Sequence, residues 1–117
     1  MKISEVAEKV ELTPVTLRYY EKVGLLPNVK RKNGVRHFAE SDLEWINFIK
    51  CMRQVKIPVK DLVVYTELLQ QGTDTKPLRR QILVDELHRL EEDKRTIQQS
   101  IERLKAKIDL YDQGKIK

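Results

Sequence analysis

A chain of 117 residues has room for one compact domain and at most an appendage, and with 40% hydrophobic against 35% charged residues its core is small. It holds no run of about 18 apolar residues and so no membrane-spanning helix; its opening MKISEVAEKV has no secretory apolar stretch, and its single cysteine, Cys51, closes no internal disulfide, which together point to a cytoplasmic protein. The formal charge of +5 lies wholly in the first half: residues 1–60 carry 12 Lys+Arg against 7 Asp+Glu, and residues 61–117 carry 11 of each.

The segment ISEVAEKV reads as a short helix, with Ser4 as N-cap and Val6, Ala7 and Val10 as its apolar stripe. In ELTPVTLRYYEKVGLLP, Thr13 and Pro14 supply an N-cap and a first helical position, Gly24 a stop, and Pro27 a bar to resumption. Two short helices joined by a tight turn make a helix-turn-helix. The next segment, NVKRKNGVRHF, holds Asn33-Gly34, the pair that best suits a two-residue type I′ hairpin because both residues must take positive φ. With Val29 and the alternation after Val35, it predicts two short strands, a cationic wing over about residues 28–38.

ESDLEWINFIKCMRQV opens with a capping box, Ser41 with Glu44. On that helix Trp45, Ile46, Phe48, Ile49, Met52 and Val55 form one apolar face, with Cys51 at its edge. KIPVKDLVVYTELLQQG repeats the punctuation, with Pro58 near the first helical position and Gly72 at the stop. Its Val59, Leu62, Val63, Leu68 and Leu69 can pack back on the preceding helix, so residues 42–71 form an antiparallel pair supporting the wing. A DNA-binding domain would then cover 1–72, and GTDTKP reads as a linker at 73–76.

No Gly or Pro follows Pro77 until Gly114, which permits a helix of roughly 35 residues over 77–113, with a tail at 114–117. Its seam is Leu83, Leu87, Leu90, Lys94, Ile97, Ile101, Leu104, Ile108 and Tyr111, in steps of three and four. A stripe of that length needs a second chain, so the helix is expected to form a coiled-coil homodimer. Lys94, the polar intruder, would help fix register.

Residues 14–36 hold six cations (Arg18, Lys22, Lys30, Arg31, Lys32, Arg36) and one anion, Glu21, a pattern that fits phosphate binding. Thr13 and Thr16 lie at the start of the second helix, where backbone N–H groups favour phosphate. Arg18 reaches a phosphate or a guanine edge. Tyr19 and Tyr20 point about 100° apart, so one is expected to pack inward and the other to face the DNA backbone; the sequence leaves open which. The wing cations would grip flanking phosphates and give binding a steep salt dependence.

The run ISEVAEKVELTPVTLRYYEKVGLL followed by RKNGVRHF resembles the N-terminal domain of MerR-family transcription regulators, and the resemblance runs over essentially the whole chain. It implies that Arg18 and Tyr19 contact operator DNA with Tyr20 beside them, and that Arg36 contacts it from the wing. It also implies that the long helix pairs antiparallel with its partner's. The fold class is then mainly α: a winged helix-turn-helix, a helical pair, and an antiparallel coiled-coil dimerisation helix. The family binds pseudo-palindromic operators in double-stranded promoter DNA and, on meeting an effector, distorts them to realign the promoter for RNA polymerase. Val35 and Phe38 stand where the family's wing often carries tyrosines, which puts a phosphate hydrogen bond in doubt.

No cysteine follows residue 51, and His37 and His88 have no ligand-spaced partners, so neither metal nor cofactor is expected. FIKCMRQVKIPVKDL, in a chain this short, also resembles the thiol- and aldehyde-responsive MerR regulators with a single cysteine in this helix. Cys51 is then either an electrophile sensor, its thiolate favoured by Lys50 and Arg53, or a small hydrophobe in the core. An enzyme is not expected, because no nucleophile–base pair or phosphate loop is present. An effector-independent repressor and a coiled-coil interaction module remain as alternatives.

Overall fold

The computed structural model describes residues 1–27 and 29–116. The chain is mainly helical and divides into two compact units, Met1–Arg79 and Arg80–Lys117. The first unit contains α1 (Ile3–Val10), α2 (Pro14–Lys22), β1 (Lys30–Lys32), β2 (Val35–His37), α3 (Glu40–Gln54) and α4 (Val59–Gln70). A short 3-10 turn, Thr73–Thr75, then leads into α5 (Lys76–Asp112).

Val6, Ala7 and Val10 of α1 are buried, as their spacing predicts, and they join Leu17 and Tyr20 of α2. Leu25, Leu26, Phe38, Ile46, Ile49, Ile57 and Leu62 complete the core. Helix α1 ends where Glu11 takes φ 55 and the Leu12 N–H reaches back to the Ala7 carbonyl at 3.0 Å. Helix α2 ends in the same way at Gly24, φ 96, with the Leu25 N–H on the Tyr20 carbonyl at 2.8 Å and the Gly24 N–H on that of Glu21 at 3.2 Å. That closing pair of bonds needs a left-handed residue, which glycine supplies without a Cβ clash.

Several expected boundaries shift. Ser4 is not the cap of α1: the cap is Lys2, two residues earlier, and the helix begins at Ile3. The Met1 amino group donates to the Phe38 carbonyl and the Phe38 N–H to the Met1 carbonyl, both at 2.8 Å. This pairing holds the chain extended through Lys2 and turns it into α1 immediately afterwards. Ser41 does not cap α3 either. Ala39 is the N-cap, and its N–H donates to Asp42 Oδ2 at 2.7 Å. With Phe38 fixed in the core, the helix starts directly behind it, and Asp42 rather than Glu44 stands three residues on. Pro58 is the N-cap of α4, not its first residue.

Val55 was expected on the apolar face of α3 but is 45% exposed. Lys56 takes φ 75 and the Ile57 N–H returns to the Met52 carbonyl, so Ile57, not Val55, closes the core at that end. Leu69 of α4 is also exposed. The segment read as a linker is ordered: Thr75 is buried, and its hydroxyl lies 2.8 Å from the carbonyls of both Leu68 and Gly72. The start of the wing at position 28 falls on Asn28 and the end of the tail on Lys117, and both lie outside the described residues.

Helix α5 has 37 residues, about 55 Å at 1.5 Å per residue. None of the described helices is long and apolar enough to cross a membrane.

Candidate nucleic-acid interface

Helix α2 is built to present its middle. Thr13 Oγ1 accepts from the Thr16 N–H at 3.1 Å and so caps the helix, and it lies 2.9 Å from Thr16 Oγ1. Pro14 follows at the first position. One turn on, Leu17 and Tyr20 face the core, while Arg18 and Tyr19 face solvent. The question the sequence left open is thereby answered. Tyr20 packs inward at 7% exposure, which corrects its inclusion among the DNA-facing residues: little of it is left for a phosphate. Burial raises its hydroxyl above the ordinary value of 10.0, with Arg53 pulling more weakly downward and Tyr19 adding a smaller upward push. Tyr19 is 47% exposed and stands 6.2 Å, ring to ring, from Tyr20.

The exit of α2 is tied to α3, where Trp45 Nε1 donates to the Leu25 carbonyl at 2.6 Å. The exit of α1 is tied to α3 as well: Lys50 Nζ donates to the Val10 carbonyl at 2.9 Å and lies 3.8 Å from Glu11. A cation at a helix C-terminus is favoured by the helix dipole.

The wing is the antiparallel hairpin foreseen, with Asn33 at φ 53 and Gly34 at φ 78. Its register pairs Lys30 with His37, Arg31 with Arg36, and Lys32 with Val35. Lys22, Lys30, Arg31 and Lys32 are exposed; Arg36 is half-buried. Two wing cations are already engaged. Arg36 Nε donates to both oxygens of Glu21, at 3.1 and 3.0 Å, and Arg31 Nη2 donates to Oε1 at 3.1 Å. Phe38 is 1% exposed and belongs to the core, so it has no place at a phosphate surface; Val35 is 55% exposed.

Sequence reasoning missed two residues here. Glu21, the lone anion of the cluster, was counted only as an offset to the cations. Lys2 was not considered, yet it lines a shallow concavity with Lys32, Arg36 and His37. The only signal for Lys2 would have been the backbone pairing of Met1 with Phe38, a contact between distant residues that no local pattern encodes.

Cys51 is exposed on α3, which removes the core-filler reading for the single chain. The two flanking cations direct donors to carbonyls: Lys50 to Val10, and Arg53 Nη1 to Ile57 at 2.8 Å. Among the described residues no three His, Cys, Asp or Glu side chains converge as a metal site would require. On α5, Leu87, Ile97, Ile101, Leu104, Ile108 and Tyr111 are exposed, as is Lys94, while Leu83 and Leu90 are half-buried.

Comparison with known proteins agrees with this geometry. Residues 1–69 match the model of the MerR HTH family of regulatory proteins. The HTH-type transcriptional regulator AdhR of Bacillus subtilis is 50% identical over 91 residues, which cover 77% of this chain and 65% of AdhR, so the match spans just under two thirds of that relative. Among solved structures, a MerR family transcriptional regulator from Listeria monocytogenes superposes with a TM-score of 0.79 at 35% identity, over 96% of this chain and 86% of its own. HiNmlR, described as a MerR family regulator lacking the sensor domain and solved bound to promoter DNA, superposes with a TM-score of 0.73 at 29% identity, over 97% and 91%. These relatives are transcriptional regulators rather than enzymes, and the chain belongs to the MerR family of helix-turn-helix transcriptional regulators.

Proposed function

We propose that the chain is a promoter-binding regulator that acts as a homodimer on a pseudo-palindromic operator and switches transcription by distorting that DNA. The observation that carries the reading is one surface: Arg18 and Tyr19 stand exposed on α2 beside a hairpin bearing Lys30, Arg31 and Lys32. Arg18 and Tyr19 read the groove, Thr13, Thr16 and Lys22 meet phosphates at the flanks of α2, and the wing with Arg36 grips the adjoining backbone. HiNmlR, which aligns over nearly the whole chain, supports DNA as the partner. Residues 1–72 form the DNA-binding part and 77–113 the dimerisation helix, pairing antiparallel through the seam from Leu83 to Tyr111. Bending costs only a few kcal/mol, so a small change in dimer geometry is enough to realign a promoter for RNA polymerase.

The effector is a reactive electrophile, captured by Cys51. Exposure of the thiol on α3 supports this reading, since a reagent must reach the sulfur. Binding of a labelled duplex from the promoter region, followed across a salt series, tests the central claim. The observed constant should fall steeply with salt. Binding that is absent, or indifferent to salt, would leave an interaction module built on α5 as the better description.

A further inference from the structure

We propose that Glu21 is a positioning residue for the DNA-binding surface: its carboxylate holds Arg31 and Arg36 against α2, so that recognition helix and wing meet DNA as one rigid unit. The inference rests on the DNA-binding reading and adds to it a residue that touches no DNA itself.

A carboxylate at this position is disfavoured on two counts. Glu21 is the penultimate residue of α2, near the negative end of the helix dipole. It also lies within a surface meant for a polyanion, where it repels phosphate. Something must offset both costs, and the hydrogen bonds show what does. Arg31 and Arg36 are direct partners across the hairpin, so their like charges oppose each other at the closest spacing a sheet allows. Glu21 lies against both. Its two oxygens take Arg36 Nε, and Oε1 also takes Arg31 Nη2, all within 3.1 Å. The Glu21 and Arg36 side chains are only 22% and 25% exposed, so their pairing is partly shielded from water, whereas Arg31 at 49% is held more loosely. The hairpin is short, with three residues per strand, most of them exposed, so apolar packing does little to set its angle. The bridge fixes its angle to α2 before DNA arrives. Raw affinity is lowered by the anion, while the geometry needed to tell one sequence from another is gained.

The test uses the full chain and two duplexes of equal length: one that the wild-type chain selects from a random pool, and one unselected. Binding is followed by fluorescence anisotropy across a salt series. Glu21→Gln should bind the unselected duplex more tightly and steepen the log–log salt slope by about one unit, as one more phosphate contact becomes available. Its ratio of selected to unselected affinity should fall about tenfold, the size of one misplaced base contact. Arg36→Lys keeps the charge but loses the planar fork, and it should lower the ratio at least as far without changing the net charge, since Arg36 also meets the DNA backbone. Adding Glu21→Gln to Arg36→Lys should lower the ratio no further, because the bridge is already broken there. If Glu21→Gln strengthens binding to both duplexes equally, or if the two substitutions act additively on the ratio, the positioning role is wrong and Glu21 is merely a repulsive charge. If the wild-type chain selects no duplex, the DNA-binding reading itself fails, and the proposal falls with it.

Discussion

Replacing Leu104 by aspartate is the sharpest test of the proposed dimer. Leu104 is 64% exposed in the single chain, with Ile97 and Ile108 on the same stripe at 60% and 57%. Fully burying a leucine is worth about 1.5–3 kcal/mol, and about two thirds of that remains to be gained here, roughly 1–2 kcal/mol per chain. Two-fold symmetry places every substitution in the interface twice, so loss of the leucine alone costs about 2–4 kcal/mol per dimer. Aspartate adds the desolvation of two carboxylates in an apolar seam, several kcal/mol per ion when no partner is near. At 1.4 kcal/mol per decade, a total above about 5 kcal/mol weakens association more than a thousandfold. Sedimentation equilibrium over a concentration series reads this directly, and circular dichroism reports whether the first unit stays folded. Leu104→Ala should fall between wild type and Leu104→Asp. A variant Leu104→Asp that dimerises as tightly as wild type would refute the seam.

Arg18→Ala should cost about 1–3 kcal/mol on the selected duplex and much less on random DNA, measured as the ratio of affinities. Burial of the Tyr20 side chain makes alkaline stability diagnostic. Its folded value lies above 10.0, so its contribution is complete below that pH and is lost as pH rises through the raised value; urea midpoints should therefore drop from about pH 8 to about pH 11 in wild type and drop less in Tyr20→Phe. Lys50→Met removes the bond to the Val10 carbonyl and should destabilise the chain by about 1–2 kcal/mol in urea titration, whereas an unchanged midpoint would mean that apolar packing alone seats α1. Transcription in vitro with a reactive aldehyde should respond in wild type and stay silent in Cys51→Ser at equal DNA affinity; equal responses would remove Cys51 from the sensing role.

The features legible in the sequence are those fixed by the local backbone. Gly24, Asn33 and Gly34 all sit at positive φ, where only a few residue types are comfortable, so the turn after α2 and the wing could be read from four or five letters each. Apolar spacing was equally clear in α1, because a short helix with Val6, Ala7 and Val10 has one side to bury. The shifted features depend on distant partners. The starts of α1 and α3 moved because Met1 and Phe38 pair across 37 positions, a contact no window of the sequence contains. GTDTKP looked like a linker because it is polar, yet Thr75 is buried with its hydroxyl within donating distance of the Leu68 and Gly72 carbonyls, which lets the segment pack. Glu21 was visible as an anion, but counting charges discards position, and its role lies in which two arginines it reaches.

Helix α3 is the element that seats α1 and α2. Core burial alone permits helices to slide, because apolar contact is weakly directional. The two polar bonds from α3 are directional. Trp45 fixes the end of α2 through the Leu25 carbonyl, and Lys50 fixes the end of α1 through the Val10 carbonyl. Trp45 is itself braced by Phe48, 5.0 Å away ring to ring, and by Tyr65 at 6.4 Å, so a shift of α4 reaches the recognition helix through one indole. Cys51 is adjacent to Lys50 on this same helix. On the proposed function, an adduct at Cys51 would not need to touch DNA to be felt by it: a tilt of α3 would carry both anchored ends, and Arg18 of α2 with them.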